Sequence, residues 1–243
     1  MSSDPDPSPR ARANRSVPAT RAFEWYGEAL RLFKRRPLPF IALAIVVIAT
    51  EFALGAIPLV GRPLANIVVP ILACGLLYAS LAADRGDRPR AAHLVAAFAA
   101  PVASLGAVIL SSLVVFLAEW AIGWQFAGIN LLVTDSDHAL SPEAVLLVYA
   151  AGVAVSLPLT LVPIVALFEG AGVTDSFAAS VAAFRRNAGA FLLYGALSLA
   201  LLGLTLVTMG IILPVVLPLW AASSYAAWKD VVGATARSGA VTP

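Results

Sequence analysis

Charge is the scarcest feature of this sequence. Lysine and arginine number 16, aspartate and glutamate 14, and together they make up 12% of 243 residues, about half the share of an ordinary soluble domain. The single cysteine, Cys74, rules out an internal disulfide or a thiolate metal cluster. It stands in an apolar run and reads as a small buried hydrophobe. The two histidines, His93 and His138, fall on opposite sides of the topology developed below, so they cannot share a metal or act as an acid–base pair. There is no glycine-rich phosphate loop, no His-Glu-x-x-His and no Gly-x-Ser-x-Gly. The chemistry of soluble enzymes is poorly supplied, no catalytic residue is assigned, and no metal, cofactor or nucleic-acid partner is implied.

What the chain has instead is apolar surface. Hydrophobic residues make up 60% and the mean hydropathy is +0.88, which places it among integral membrane proteins. Its length suits one domain. Runs such as Ile41-Ala-Leu-Ala-Ile-Val-Val-Ile48 are apolar on every face, so β-barrel alternation is missing and helices are left as the spanning element. Seventeen prolines and seventeen glycines argue against one unbroken bundle of ideal helices.

Residues 63–83, 144–168 and 187–228 carry no Asp, Glu, Lys or Arg. The last window, 42 residues long, would run about 63 Å as one helix. That is roughly twice a 30 Å hydrocarbon core, so it must reverse, and Gly210 followed by Pro214 marks the place. The pattern predicts an all-α bundle of six transmembrane helices, at about 37–60, 63–83, 101–122, 144–168, 189–210 and 212–229. Residues 1–19 are predicted to be a disordered tail, 20–231 the membrane domain, and 232–243 a cytoplasmic tail. No cleaved signal peptide is expected, because the first apolar run begins near residue 37 and is long enough to span.

Basic residues orient the bundle. Arg21, Arg31, Lys34, Arg35, Arg36, Arg85, Arg88, Arg90, Arg185, Arg186, Lys229 and Arg237 lie on one side of the six spans, and Arg62 alone on the other with Asp135, Asp137 and Glu143. Basic loops stay inside, so both termini are expected in the cytoplasm of a bacterial inner membrane. Tyr78, Tyr225 and Trp228 are expected at the inner interface, and Trp120, Trp124 and Tyr149 at the outer one.

A short amphipathic stretch precedes each odd-numbered span: Thr20 to Arg36, Ala91 to Ala99 and Asp175 to Asn187. Phe23, Tyr26, Leu30 and Phe33 form the apolar stripe of the first, Leu94, Val95 and Phe98 of the second, Phe177, Val181 and Phe184 of the third. Aligned on the last phenylalanine, Leu30-x-x-Phe33, Val95-x-x-Phe98 and Val181-x-x-Phe184 coincide. Phe33-Lys-Arg-Arg36 also matches Phe184-Arg-Arg-Asn187. The sequence thus reads as three parallel units of interfacial helix, span, span.

Five short motifs carry a resemblance: Arg31-Leu-Phe-Lys-Arg-Arg-Pro37, Ile57-Pro-Leu-Val-Gly61, Ala83-Asp-Arg-Gly86, Val173-Thr-Asp-Ser-Phe177 with Phe184-Arg-Arg-Asn187, and Ser224-Tyr-Ala-Ala-Trp-Lys-Asp230. Over residues 20–231 they resemble a family of uncharacterised proteobacterial six-helix inner-membrane proteins. That family is itself distantly similar to the membrane domain of some glycerophosphodiester phosphodiesterases. The resemblance implies a fold and no activity, since the catalytic domain is lacking.

Charge inside a span is the best functional pointer, at roughly 2.5–3.5 kcal/mol per residue at mid-bilayer. Glu51 and Glu119 lie about 21 Å and 27 Å into their spans by helical rise. With Asn66 they form the candidate intramembrane polar site. The plainer readings are an interfacial carboxylate beside Trp120 for Glu119, and for Glu51 a protonated carboxyl bonding a neighbouring helix, with Asn66 as partner. Arg35, Arg36, Arg185 and Arg186 are the candidate lipid-headgroup contacts. Asp84-Arg-Gly-Asp-Arg88 reads as a solvated turn. Pro158, Pro163, Pro214 and Pro218 should kink or interrupt their helices. These features favour a non-enzymatic module that engages membrane lipids, with another membrane protein as a further partner. The alternatives are a small transporter or channel using an intramembrane Glu, and an intramembrane lipid-modifying enzyme.

Overall fold

Prolines, glycines and the few charges decide where each helix starts and stops. A computed structural model describes residues 16–128 and 141–232. The first half holds α1 (Arg21–Arg35), α2 (Pro37–Gly55), α3 (Gly61–Asp84), α4 (Ala91–Ala96) with a 3-10 turn at Ala97–Ala99, and α5 (Val102–Ala127). The second half holds α6 (Pro142–Ser156), a 3-10 turn at Leu157–Leu159, α7 (Val162–Phe168), α8 (Val173–Arg186), α9 (Ala188–Val207) and α10 (Leu213–Val231). Pro37, Pro142, Pro163 and Pro214 sit in first turns, where the missing N–H costs no helical bond. Gly128 closes α5 in the left-handed conformation, φ 65°. The expected reversal falls at Gly210, φ 82°, whose N–H returns to the Thr205 carbonyl at 2.8 Å. Residues 1–15 and 233–243 of the expected tails, with Asp135, Asp137 and His138, lie outside the described residues; the last residues of the first tail are held, since the Val17 N–H donates to Asn187 Oδ1 at 2.8 Å.

The protein is an all-α membrane bundle. Four straight helices, α2, α3, α5 and α9, are long and apolar enough to cross a bilayer, and α6 with α7 forms a fifth unit bent by 42°. α10 has the same 19 residues as α2, but Ser223, Ser224, Tyr225, Lys229 and Asp230 make it too polar to qualify on composition. Of the six expected spans, four or five thus qualify among the described residues, and the sixth is a helix of spanning length that does not qualify on composition. Large apolar side chains such as Leu38, Phe52 and Leu192 point outward, as suits helices whose solvent is lipid.

The short helices pack in a cycle. α4 lies on α3, α8 on α7, and α1 on α10, each against the second helix of the preceding unit. Within units, α2 pairs with α3 and α5 with α6, but α9 and α10 barely touch, and α10 packs on α1, α2 and α3 instead. The buried faces are not the expected stripes. α1 buries Ala22, Trp25, Ala29, Leu32 and, from the expected stripe, Phe33, with Tyr26 half-buried, and leaves Phe23 and Leu30 exposed. α8 buries Ser176, Ala179, Ser180 and Ala183, with Phe177 and Phe184 only half-buried beside them. Small residues win these contacts because they let helix backbones approach closely. Gly75 is the clearest case. A Cβ there would run into the α4 backbone at Leu94 and sit 2.8 Å from the His93 carbonyl oxygen. Cys74, beside it, is buried as expected.

The break between α6 and α7 is closed by its neighbours. Pro158 and Pro163 cannot donate to the helical ladder. The Thr160 hydroxyl donates to the Ser156 carbonyl at 3.0 Å. From α8, the Ser180 hydroxyl accepts from the Leu161 N–H at 3.1 Å and donates to the Pro158 carbonyl at 2.8 Å. One buried hydroxyl thus satisfies two backbone groups that the break leaves without helical partners.

Candidate functional site

A cavity of about 360 Å³, open on one side and mostly apolar in its lining, lies where α3, α5 and the broken α6–α7 unit meet. Its lining includes Asn66 from α3, Ser111, Ser112 and Glu119 from α5, and Ser156 and Thr160 from the break. Two of the three expected polar-site residues therefore share one space. By helical rise Glu119 stands about 26 Å along α5 from Val102, and Asn66 about 27 Å along α3 from Asp84, so they occupy the same depth. Glu51 is exposed on α2 and is not part of the lining. The hydroxyl of Tyr149, on α6, lies within electrostatic reach of Glu119, Glu51 and Arg62.

Glycine decides where the Glu119 side chain goes. A Cβ on Gly152 would meet the Glu119 carboxylate oxygen and lie 2.7 Å from its Cδ and 2.8 Å from its Cγ. The carboxylate is thus laid against the bare backbone of α6.

A second polar cluster gathers at the basic end of the bundle. Lys229 of α10 reaches Glu28 of α1 at 2.5 Å and Asp84 of α3 at 2.8 Å. The Tyr225 hydroxyl also donates to Asp84, at 3.0 Å. Asp230 accepts from Arg21 Nε at 2.7 Å and from the Trp25 indole at 3.1 Å, and its bond and charge raise the Arg21 pKa further. The Trp228 indole donates to Glu169 at 2.9 Å. Asp84, Glu169 and Asp230 close the second helix of each unit, and all three are held by α10 or α1. This corrects two expectations. Asp84 is half-buried and ion-paired rather than part of a solvated turn, since α10 brings it a cation. Tyr225 and Trp228 are buried around Phe168, at ring distances of 6.3 and 5.6 Å, rather than placed as an interfacial belt.

The four expected headgroup arginines are exposed at this same end, Arg35 as the last residue of α1, Arg36 just after it, and Arg185 and Arg186 at the end of α8. The structure separates them by role in space. Arg35 joins Gly27, Leu30, Arg31 and Lys34 around an open depression of about 350 Å³ on α1, while Arg36, Arg185 and Arg186 lie outside it.

The chain is similar to a membrane protein. The relative, from Burkholderia thailandensis, is named as a probable inner membrane protein and is 24% identical over 201 residues, covering 76% of this chain and 74% of its own length. No family model matches the chain, so the resemblance to the glycerophosphodiester phosphodiesterase membrane domain gains no support. No solved structure matches it either.

Sequence reading missed Glu28, Glu169, Ser180 and Gly152. Glu169 and Asp230 could have been found by extending the repeat, since each, like Asp84, ends the second helix of its unit. Ser180 and Gly152 carry no local signal, because their roles depend on which helix crosses them.

Proposed function

We propose that this protein is a non-enzymatic, lipid-engaging module of the bacterial inner membrane, with the basic end and both termini in the cytoplasm. One observation carries the reading. α1 is anchored to α10 by its Trp25 face, yet keeps Phe23 and Leu30 exposed, 55% and 40%, beside Arg31, Lys34 and Arg35 of the open depression. A helix whose first face is already buried has no packing reason to show a second apolar strip next to cations. At the membrane surface that strip enters the acyl boundary and the cations meet anionic headgroups.

Native mass spectrometry of the detergent-extracted protein with phosphatidylglycerol or phosphatidylcholine of equal chain length tests this. The anionic lipid should be retained preferentially. Replacing Arg31, Lys34 and Arg35 with glutamine should weaken its binding by about 3 kcal/mol, roughly a hundredfold. Equal retention of both lipids, or no effect of the triple change, would remove the reading. Another membrane protein as partner would show as a co-purifying chain of fixed stoichiometry. The break beside the cavity favours a second reading, a small transporter, because interrupted helices line transport sites. It requires substrate flux in proteoliposomes that Glu119→Gln abolishes.

A further inference from the structure

We propose that the cavity between α3, α5 and the α6–α7 break is a binding site for a protonated amine, presented on an apolar body that enters from the bilayer. The lining decides the chemistry. Its oxygens belong to the Glu119 carboxylate, the Asn66 amide and the hydroxyls of Ser111, Ser112, Ser156 and Thr160. Three of those hydroxyls already donate their protons to carbonyls of their own helices: Ser111 to Val108 at 2.9 Å, Ser156 to Val153 at 2.8 Å, and Thr160 to Ser156 at 3.0 Å. They turn only lone pairs toward the cavity. Among the described residues no lysine, arginine or histidine lines it, and Arg62 and Glu51 are exposed outside it. Only the Asn66 amide N–H groups and the Ser112 hydroxyl can still donate into it, so one carboxylate among mostly accepting oxygens is complemented by a ligand that brings donors and positive charge.

Shape decides between a bare ion and a larger amine. The polar positions extend about 12 Å along α5 from Ser111 to Glu119, too far for oxygens converging on one point cation. Leu113, Val115, Phe116 and Leu159 supply apolar wall between them. Leu113 is 42% exposed on a membrane-spanning helix, so the cavity reaches the lipid-facing surface. The volume lies at the small end of ligand pockets. An amine head at the Glu119–Asn66 end with a short apolar tail along α5 satisfies every part of this lining. The site shares no residue with the α1 depression, so either proposal can fail without the other.

The test is calorimetric titration of the full-length protein in nonionic detergent with decylammonium, decanol and ethylammonium. Decylammonium should bind at least roughly tenfold more tightly than decanol, and Glu119→Gln should weaken it roughly ten- to a hundredfold, as loss of a charged hydrogen bond does. Glu51→Gln should leave it unchanged. Ser112→Leu fills the cavity from α5 without touching the acid and should also abolish binding, which covers the case that Glu119→Gln fails to fold. Ethylammonium binding as tightly as decylammonium would overturn the apolar-body part of the proposal, whereas much tighter binding of decylammonium supports a membrane amphiphile. Decanol binding equally well, or decylammonium binding that survives both Glu119→Gln and Ser112→Leu, would overturn the proposal.

Discussion

Removing one hydroxyl, that of Ser180, should loosen the broken span more than any comparable serine change. The side chain is 1% exposed and bridges the Leu161 N–H and the Pro158 carbonyl, neither of which has a helical partner across the break. Ser180→Ala leaves a buried donor and a buried acceptor unmet. An orphaned buried group costs about 1–3 kcal/mol, so the expected loss for the two is about 2–6 kcal/mol. Ser80 provides the contrast. It is equally buried, but its hydroxyl donates at 2.7 Å to the Leu76 carbonyl within α3. Ser80→Ala orphans nothing and should cost less than about 1 kcal/mol, the scale of side-chain bonds measured inside membranes. Ser180→Cys, which keeps the volume but bonds weakly, should fall near Ser180→Ala and so separates lost bonding from lost packing. The assay is reversible unfolding by dodecyl sulfate in mixed micelles, followed by circular dichroism. If Ser180→Ala and Ser80→Ala agree within about 0.5 kcal/mol, the account of the break is wrong.

Gly75→Ala should destabilise by about 1–3 kcal/mol, since its Cβ meets α4 backbone that cannot swing aside. Gly203→Ala, with open space around it, should be neutral or stabilising by up to about 1 kcal/mol; the same unfolding assay ranks the two. Burial on α1 raises the Tyr26 phenol above its ordinary value of 10, so the folded state holds this proton longer than the unfolded chain. The stabilisation is complete below that value and is lost as pH rises above it. Alkaline unfolding should therefore be shallower in Tyr26→Phe, and identical alkaline profiles would contradict this. In a Cys74→Ala background, Leu59→Cys should react with an impermeant maleimide from outside the cell and Asp87→Cys only after lysis. The reverse pattern would invert the proposed orientation.

The membrane class, the helical content and the positions of the turns were legible in one dimension, because each rests on a property of a local window. Lack of charge over 63–83 marks a span by transfer energy, Gly210 marks a reversal by its backbone freedom, and Pro158 with Pro163 marks a break by the bonds they cannot make. The shared depth of Glu119 and Asn66 was partly legible too, since helical rise counts it from the span ends. The faces were not. Phe23 and Leu30 fit the apolar period of α1, but Trp25 and Ala29 take the buried side, where the Trp25 ring meets Phe191 and Tyr194 and its indole donates to Asp230. Nor did any local pattern mark Lys229 for Asp84, 145 residues away, or Arg21 for Asp230, 209 residues away. Asp84 beside Arg85 and Asp87 looks like surface charge until a distant cation arrives. Sequence by itself determined what must leave water and where the chain must turn, since hydrophobicity and backbone sterics act on each segment alone. Tertiary structure alone decided which polar groups meet, because a hydrogen bond or an acceptor-lined cavity exists only once separate helices are packed at a particular height and rotation.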